Sequence, residues 1–390
     1  MTNTSQLDYG PARADEIDTL NGVLEQALTF GAGTMAPWTL ALGHDNMRAV
    51  RRAGRPVAGI GFISMGHYFG GRSVPAAGIT AVGVAPDQRG SGVGLWMLRR
   101  SLEELHDQGV PLASLYPATT AFYRRTGFER AAQRTIYELP VAAIGLRDYT
   151  LEAAPAGPED YGTIKQLYAQ QGERSAGLID RPEFYWNLIF TPRDKQAYKF
   201  IVRRDGVPEG YVVFLHAGWG DPLQVRDIVA LTPAAGRRLL TMLADHRSMI
   251  ETLRIPGGPS DPLLFLLPEQ KHKAAWTLDL MLRLVDVAAA LEARGYAPGV
   301  AGELHLDVRD DMLPWNQGRL VLSVADGRAQ ARPGGQGRIQ LHARDLAALY
   351  SGYLTAAELA AAGTLAGPDA DLALASLIFA GPRPWTPDMF

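Results

Sequence analysis

Residues 50–66, VRRAGRPVAGIGFISMG, and residues 202–218, VRRDGVPEGYVVFLHAG, align at a shift of 152 and share seven of 17 positions. A repeat of that spacing constrains the fold more than any local signal, because it asks the chain to build one unit twice. Each copy reads as strand, tight turn, strand, with Ala53-Gly54 and Asp205-Gly206 as turn signals between apolar runs. The flanks repeat as well. An acidic helical stretch precedes each hairpin, over 15–28 and 159–170. An apolar strand follows each, over 79–86 and 225–233, and each closes on a proline. A helix comes next, with Val93, Met97, Leu98, Leu102 and Leu105 as its apolar face in the first copy and Leu239, Leu240 and Leu243 in the second. The pattern predicts two copies of one α/β unit, over 1–148 and 149–284. Residues 146–158, with Pro155, Gly157 and Pro158 as breakers, read as the linker.

Residues 285–390 depart from the repeat. They predict a helix over 284–294 and strands over 303–308 and 320–325, the second ending in an Asp326-Gly327 turn. Helices are expected over 343–349 and 372–379. That mixed order predicts an α+β domain. The glycine-rich stretch 332–337 reads as a turn, since no capped helix follows it.

Composition narrows the function classes. The chain of 390 residues has no cysteine and a formal net charge of −3. The missing thiol excludes a disulfide framework, a cysteine nucleophile, an iron–sulfur cluster and a cysteine zinc site. The eight histidines show no close ligand spacing, so no metal is expected. Without a basic surplus, no nucleic-acid partner is expected. No run approaches the roughly 18 apolar residues of a membrane span, so no membrane partner is expected either. A start carrying Asp8, Asp15, Glu16, Asp18 and Glu25 does not read as a signal peptide, which leaves a cytoplasmic enzyme as the expectation.

Chemistry concentrates in residues 78–105. A strand ends at Val84, and Ala85-Pro86-Asp87-Gln88-Arg89-Gly90-Ser91-Gly92-Val93-Gly94-Leu95 leads into an amphipathic helix. Glycines at 90, 92 and 94 let the backbone approach a ligand without Cβ interference. The first N–H groups of a helix have no intrahelical acceptor and lie at the positive end of its dipole, which suits an anion. Strand, glycine turn and helix thus predict a pyrophosphate cradle. A Walker motif would need Gly-Lys-Ser/Thr after the glycines, and a dinucleotide fingerprint would need GxGxxG; neither is present. The second copy keeps one glycine, in Thr232-Pro233-Ala234-Ala235-Gly236, so one active site per chain is expected. Downstream of the cradle, a strand over 111–116 leads through Pro117 and Ala118 into a short helix and the stretch Phe122-Tyr123-Arg124-Arg125-Thr126-Gly127-Phe128.

The spacing Arg89-x-x-Gly92-x-Gly94 resembles motif A of the GCN5-related N-acetyltransferases (GNAT), and residues 122–128 resemble their F-Y-x-x-x-G-F. Adding Val82-Gly83-Val84-Ala85-Pro86, Leu115-Tyr116-Pro117-Ala118, residues 346–353 and the ending at Phe390, the whole chain resembles the enhanced intracellular survival (Eis) acetyltransferases. That resemblance implies an α/β (α+β) fold. Two tandem GNAT-like domains with mixed central sheets, the second degenerate, precede a domain resembling sterol carrier protein. It also implies acetyl-CoA as co-substrate, a primary amine as acceptor, and a homohexamer. Val82, Gly83 and Val84 would run along the pantetheine arm. Gly90, Ser91, Gly92, Val93, Gly94 and Leu95 would hold the pyrophosphate, with Ala118 and Thr119 beside the cofactor. Tyr123 is implied as the general acid toward the departing thiolate. The carboxylate of Phe390 is implied as the general base, with Trp385 anchoring the tail and Pro382, Pro384 and Pro387 stiffening its approach. The main-chain N–H of Val84 is the candidate oxyanion donor. The rival reading is a non-catalytic carrier holding an apolar ligand in residues 285–390.

Overall fold

The computed structural model describes residues 6–192 and 195–390. The first unit runs β1 (Leu7–Pro11), α1 (Ile17–Leu28), α2 (Met35–Leu42), β2 (Met47–Arg52), β3 (Arg55–Phe69), β4 (Arg72–Val84), α3 (Val93–Asp107), β5 (Leu112–Leu115), α4 (Thr120–Arg124) and β6 (Glu129–Pro140). The second runs β7 (Glu152–Pro155), α5 (Tyr161–Glu173), β8 (Ile179–Asp180), α6 (Glu183–Phe190), β9 (Ala197–Arg204), β10 (Val207–Leu215), β11 (Leu223–Ala230), α7 (Pro233–Ala244), β12 (Thr252–Gly257), α8 (Pro262–Phe265) and β13 (Lys273–Leu284). The third runs α9 (Val287–Ala293), β14 (Gly302–Arg309), β15 (Gly318–Ala325), β16 (Arg328–Pro333), β17 (Ile339–His342), α10 (Ala343–Ser351), α11 (Ala356–Ala361), β18 (Leu365–Ala366) and α12 (Asp369–Ile378). Two tandem α/β units thus precede an α+β domain.

The repeated hairpins turn in the same way. φ is 48° and 77° at Ala53-Gly54 and 49° and 82° at Asp205-Gly206. Two left-handed residues in succession give the turn whose twist matches the strands it joins.

One sheet runs β1-β2-β3-β4-β5-β13-β6-β12-β11-β10-β9-β7, with β8 paired to β3 off that path. The order is the same from either end: five strands of one unit, then a strand from the other. β13 lies between β5 and β6 of the first unit, and β6 lies between β12 and β13. Each unit completes the other's sheet. The sequence does not foretell this exchange, because an apolar strand pattern does not name its neighbour.

Two local expectations change. Residues 146–158 are not only a linker: β7 lies within them and pairs with β9 at the sheet edge. Pro155 closes that strand, a position an edge tolerates because no ladder donor is required there. The helix expected over 284–294 begins only at Val287, because Asp286 caps it by accepting the Ala289 N–H and β13 extends through Leu284.

The third unit sits on the exchanged strands. Leu304, Leu346 and Tyr350 share one core with Phe69, Leu112 and Leu282. Arg283 on β13 is fully buried and paired with Asp310 of the third unit at 2.6 Å. Gly127 follows α4 with φ of 84°, and a Cβ there would come within 2.6 Å of the Arg283 guanidinium. Both its conformation and the close approach require glycine.

His67 ties the first two units together. Its Nδ1–H donates to Gly177 O at 3.1 Å, and its Nε2 lies 2.8 Å from the Ser114 hydroxyl on β5. A carbonyl only accepts, so Nε2 is the bare nitrogen and Ser114 donates to it. Complete burial pushes the imidazole pKa down from 6.5 to about 4. The folded state therefore resists protonation that the unfolded chain accepts. Stability from this group is complete above pH 6.5 and falls as the pH drops toward 4. Between pH 7.5 and 5 the loss is about 2 kcal/mol. Denaturant titrations of wild type and His67→Gln at both pH values check this: the variant should lack that portion of the acid slope, and identical slopes would refute it.

Candidate active site

In the glycine turn after β4 each glycine serves a separate need. Gly90 and Gly92 have φ of 77° and 86°. Gly94 is helical, and a Cβ there would lie 3.3 Å from the Phe122 ring and 3.4 Å from Val84. The end of β4, the start of α3 and α4 thus converge on one small residue. No side chain caps the start of α3. Its first N–H groups are left for a ligand.

The second copy differs at the same place. Thr232 caps α7 by accepting the Ala235 N–H, and Pro233 removes another donor. The Thr232 hydroxyl donates in turn to the Glu209 carboxylate. A threonine and a carboxylate of the chain itself occupy the place where the first copy offers bare N–H groups.

Strands β4 and β5 pair only from Ala76 to Gly78, against Leu112 to Ser114. β4 then continues to Val84 while β5 stops at Leu115, which leaves a wedge. Within it Ala81 has φ of 51°, and the ladder with β3 shifts register there. A left-handed alanine costs about 1 kcal/mol. The bulge it makes redirects the backbone beyond it. Ala85 N–H donates to Val57 O, so Val84 and Ala58 form a non-hydrogen-bonded pair. The Val84 N–H accordingly faces away from β3, into the wedge. Ala118 and Thr119 lie exposed just beyond the end of β5.

Tyr123 and Phe390 come to the sheet from opposite faces. Tyr123 is buried with Val93, Met97 and Phe128 on the α3 side. Burial pushes its pKa up to about 12. Among the described residues its hydroxyl has no hydrogen-bond partner. Phe390 packs with the core on the α1 and α2 side. Its ring stands 5.5 Å from that of Tyr116, and a Cβ on Gly78 would come 3.1 Å from it. Gly78 is therefore the seat of the terminal ring, at the point where the wedge opens.

The approach to Phe390 is fastened residue by residue. Gln133 on β6 donates to Pro384 O at 3.1 Å and accepts from the Thr386 N–H at 3.0 Å. Trp385 lies against Gly258, where a Cβ would come 2.8 Å from its ring. Trp385 and Pro387 line a cavity of about 480 Å3 with Asp227–Pro233, the region matching the end of β4 in the first unit. The tail thus runs along the end of β11 and the start of α7. Arg134 Nε donates to Pro387 O at 2.8 Å, the Tyr116 hydroxyl to Asp388 O at 2.5 Å, and the Tyr185 hydroxyl to Met389 O at 2.6 Å.

Arg181 closes the arrangement. It is fully buried and bridges Asp388 at 2.9 Å and Asp227 at 2.5 Å. Its guanidinium lies 3.8 Å from the Tyr168 ring centre and 4.7 Å from that of Trp186. Burial opposes its charge, yet Asp227 and Asp388 hold its pKa well above the ordinary arginine value. Sequence reasoning missed Arg181, whose partners lie 46 and 207 residues away. Removing it strands two buried carboxylates. Arg181→Met should cost about 3–5 kcal/mol of stability, and Asp388→Asn less, since Arg181 keeps Asp227. Denaturant unfolding tests this; a loss below about 1 kcal/mol, the value of an exposed pair, would refute it.

Residues 8–131 match the acetyltransferase (GNAT) domain family, residues 177–284 match a second acetyltransferase (GNAT) domain family, and residues 287–387 match the sterol carrier protein domain. An uncharacterized N-acetyltransferase of Streptomyces griseus is 32% identical over 82% of this chain and 83% of its own. The N-acetyltransferase Eis of Mycobacterium tuberculosis is 31% identical over 77% of this chain and 76% of its own. The crystal structure of a GCN5-related N-acetyltransferase from Anabaena variabilis superposes with a TM-score of 0.95 at 35% identity, over 98% of this chain and 100% of that one. The three-part architecture agrees with these matches, and the chain belongs to the Eis family of GCN5-related N-acetyltransferases.

Proposed function

We propose that this enzyme transfers an acetyl group from acetyl-CoA directly to a primary amine, in the wedge between β4 and β5. The observation that carries the reading is the Val84 N–H, turned into the wedge by the Ala81 bulge. Gly90, Ser91, Gly92, Val93, Gly94 and Leu95 would hold the pyrophosphate, Val82 to Val84 the pantetheine arm, and Ala118 and Thr119 its flank. The uncapped start of α3 and the left-handed glycines fit that group. Acetyl-CoA supplies an electrophilic carbonyl joined to a sulfur leaving group. The Val84 N–H donates to the carbonyl oxygen as charge grows there. The α-carboxylate of Phe390, on the α1 and α2 face, accepts the proton of the attacking amine. Tyr123, on the α3 face, gives its phenolic proton to the sulfur. Its raised pKa keeps that proton in place across the neutral range.

The proposal extends to organisation. Residues 1–148 form the catalytic domain, 149–284 the degenerate one and 285–390 the sterol-carrier-like one. A homohexamer follows the family resemblance, and the proposal includes a cytoplasmic location. The carrier alternative draws on the sterol carrier match alone, and the intact cradle favours catalysis over it.

Thiol release from acetyl-CoA, followed across a panel of primary amines, tests the activity. The chain has no cysteine, so a thiol reagent reads the product alone. Absence of acetyl-CoA binding by calorimetry would favour the carrier. Extending the chain by a few residues past Phe390 should lower kcat about 100-fold or more with acetyl-CoA affinity intact, and Tyr123→Phe should likewise act on kcat rather than KM. Unchanged turnover in either variant removes that residue from its role.

A further inference from the structure

A second cavity, of about 530 Å3, opens beside the tail, with Pro387 to Met389 forming one wall. It takes none of its lining from the cradle residues. Three arginines from three strands enter that lining: Arg134 on β6, Arg226 on β11 and Arg254 on β12. They are not equally engaged. Arg254 is neutralised by Glu138 at 2.7 Å. Arg134 uses only its Nε, on Pro387 O, and its guanidinium stands 5.1 Å from the ring centre of Trp276. Arg226 has no ion pair or hydrogen bond among the described residues. Among the described residues the one carboxylate in the lining is Asp388, which Arg181 already holds.

The cavity therefore carries an uncompensated positive charge in a chain whose net charge is −3. Guanidinium groups pair with carboxylates and phosphates through parallel N–H bonds. Trp276, 40% exposed, adds an aromatic face for a planar group. A concave space with an apolar wall and a few convergent charged groups is the ordinary form of a small-molecule site.

We propose that this cavity binds a small organic anion, a carboxylate or phosphate carried on a planar ring, with Arg226 and Arg134 on the anion and Trp276 against the ring. The proposal does not depend on the acetyl-transfer reading, because no residue it uses belongs to the cradle, the wedge or the catalytic pair.

Calorimetric titrations of the full chain with benzoate, with phenyl phosphate and with neutral benzamide test it. Saturating coenzyme A is kept present, so that phosphate is not read at the cradle. Binding of either anion with at least tenfold weaker binding of benzamide is expected. Benzoate alone would assign the site to carboxylates, and phenyl phosphate alone to phosphates. Arg226→Gln should weaken the anion at least tenfold, and Trp276→Ala should weaken it too, while both variants keep wild-type melting temperatures. No binding of either anion, equal binding of benzamide, or wild-type affinity in Arg226→Gln would overturn the proposal.

Discussion

The ion triad of Arg181, Asp227 and Asp388 is the constraint on which the composite site depends. It joins a helix-flanking segment of the second unit, a strand of that unit and the tail of the third. Such groups are costly to bury, and they persist where each charge is met by partners on several sides. Tyr168 and Tyr211 add hydroxyls to the carboxylates, and two aromatic rings cover the guanidinium. The result is a tail with a single arrangement. An aromatic ring two residues beyond Asp388 is thereby delivered to Gly78, at the opening of the first unit's wedge.

Duplication explains why such a socket exists. Both units fold the same hairpin, strand and helix, but they diverge at the helix start. Glycines 90 and 92 leave α3 open, whereas Thr232, Pro233 and Glu209 seal α7. Beside the sealed helix start, Trp385 and Pro387 line the adjoining cavity. One copy leaves its helix start open, and the other holds the segment that ends beside it.

Much of this was legible in the residues, for identifiable reasons. Asp205-Gly206 and Ala53-Gly54 announce left-handed turns. Gly90 and Gly92 announce a backbone that needs φ above zero. Those signals are local, and local signals survive in sequence. The bulge at Ala81 gave no sign, because alanine is not a residue that marks a left-handed position. His67 was one histidine among eight, and its partners Ser114 and Gly177 carry no motif. The strand exchange was hidden for a deeper reason: β6 and β13 would read identically if each stayed at home.

That exchange has a consequence for synthesis on the ribosome. β6 ends at Pro140 and β13 at Leu284, so 144 residues (284 − 140) separate the strands that must interleave. At about 5–20 residues per second, the gap lasts about 7–30 s. Throughout that interval the native neighbours of β5 and β6 are not yet made, and a strand edge without its neighbour is the kind of surface that recruits wrong partners. The first unit, although translated first, cannot complete its fold until the second has emerged. Its maturation is thus timed by the chain that follows it, and holdase chaperones have a defined window in which to act.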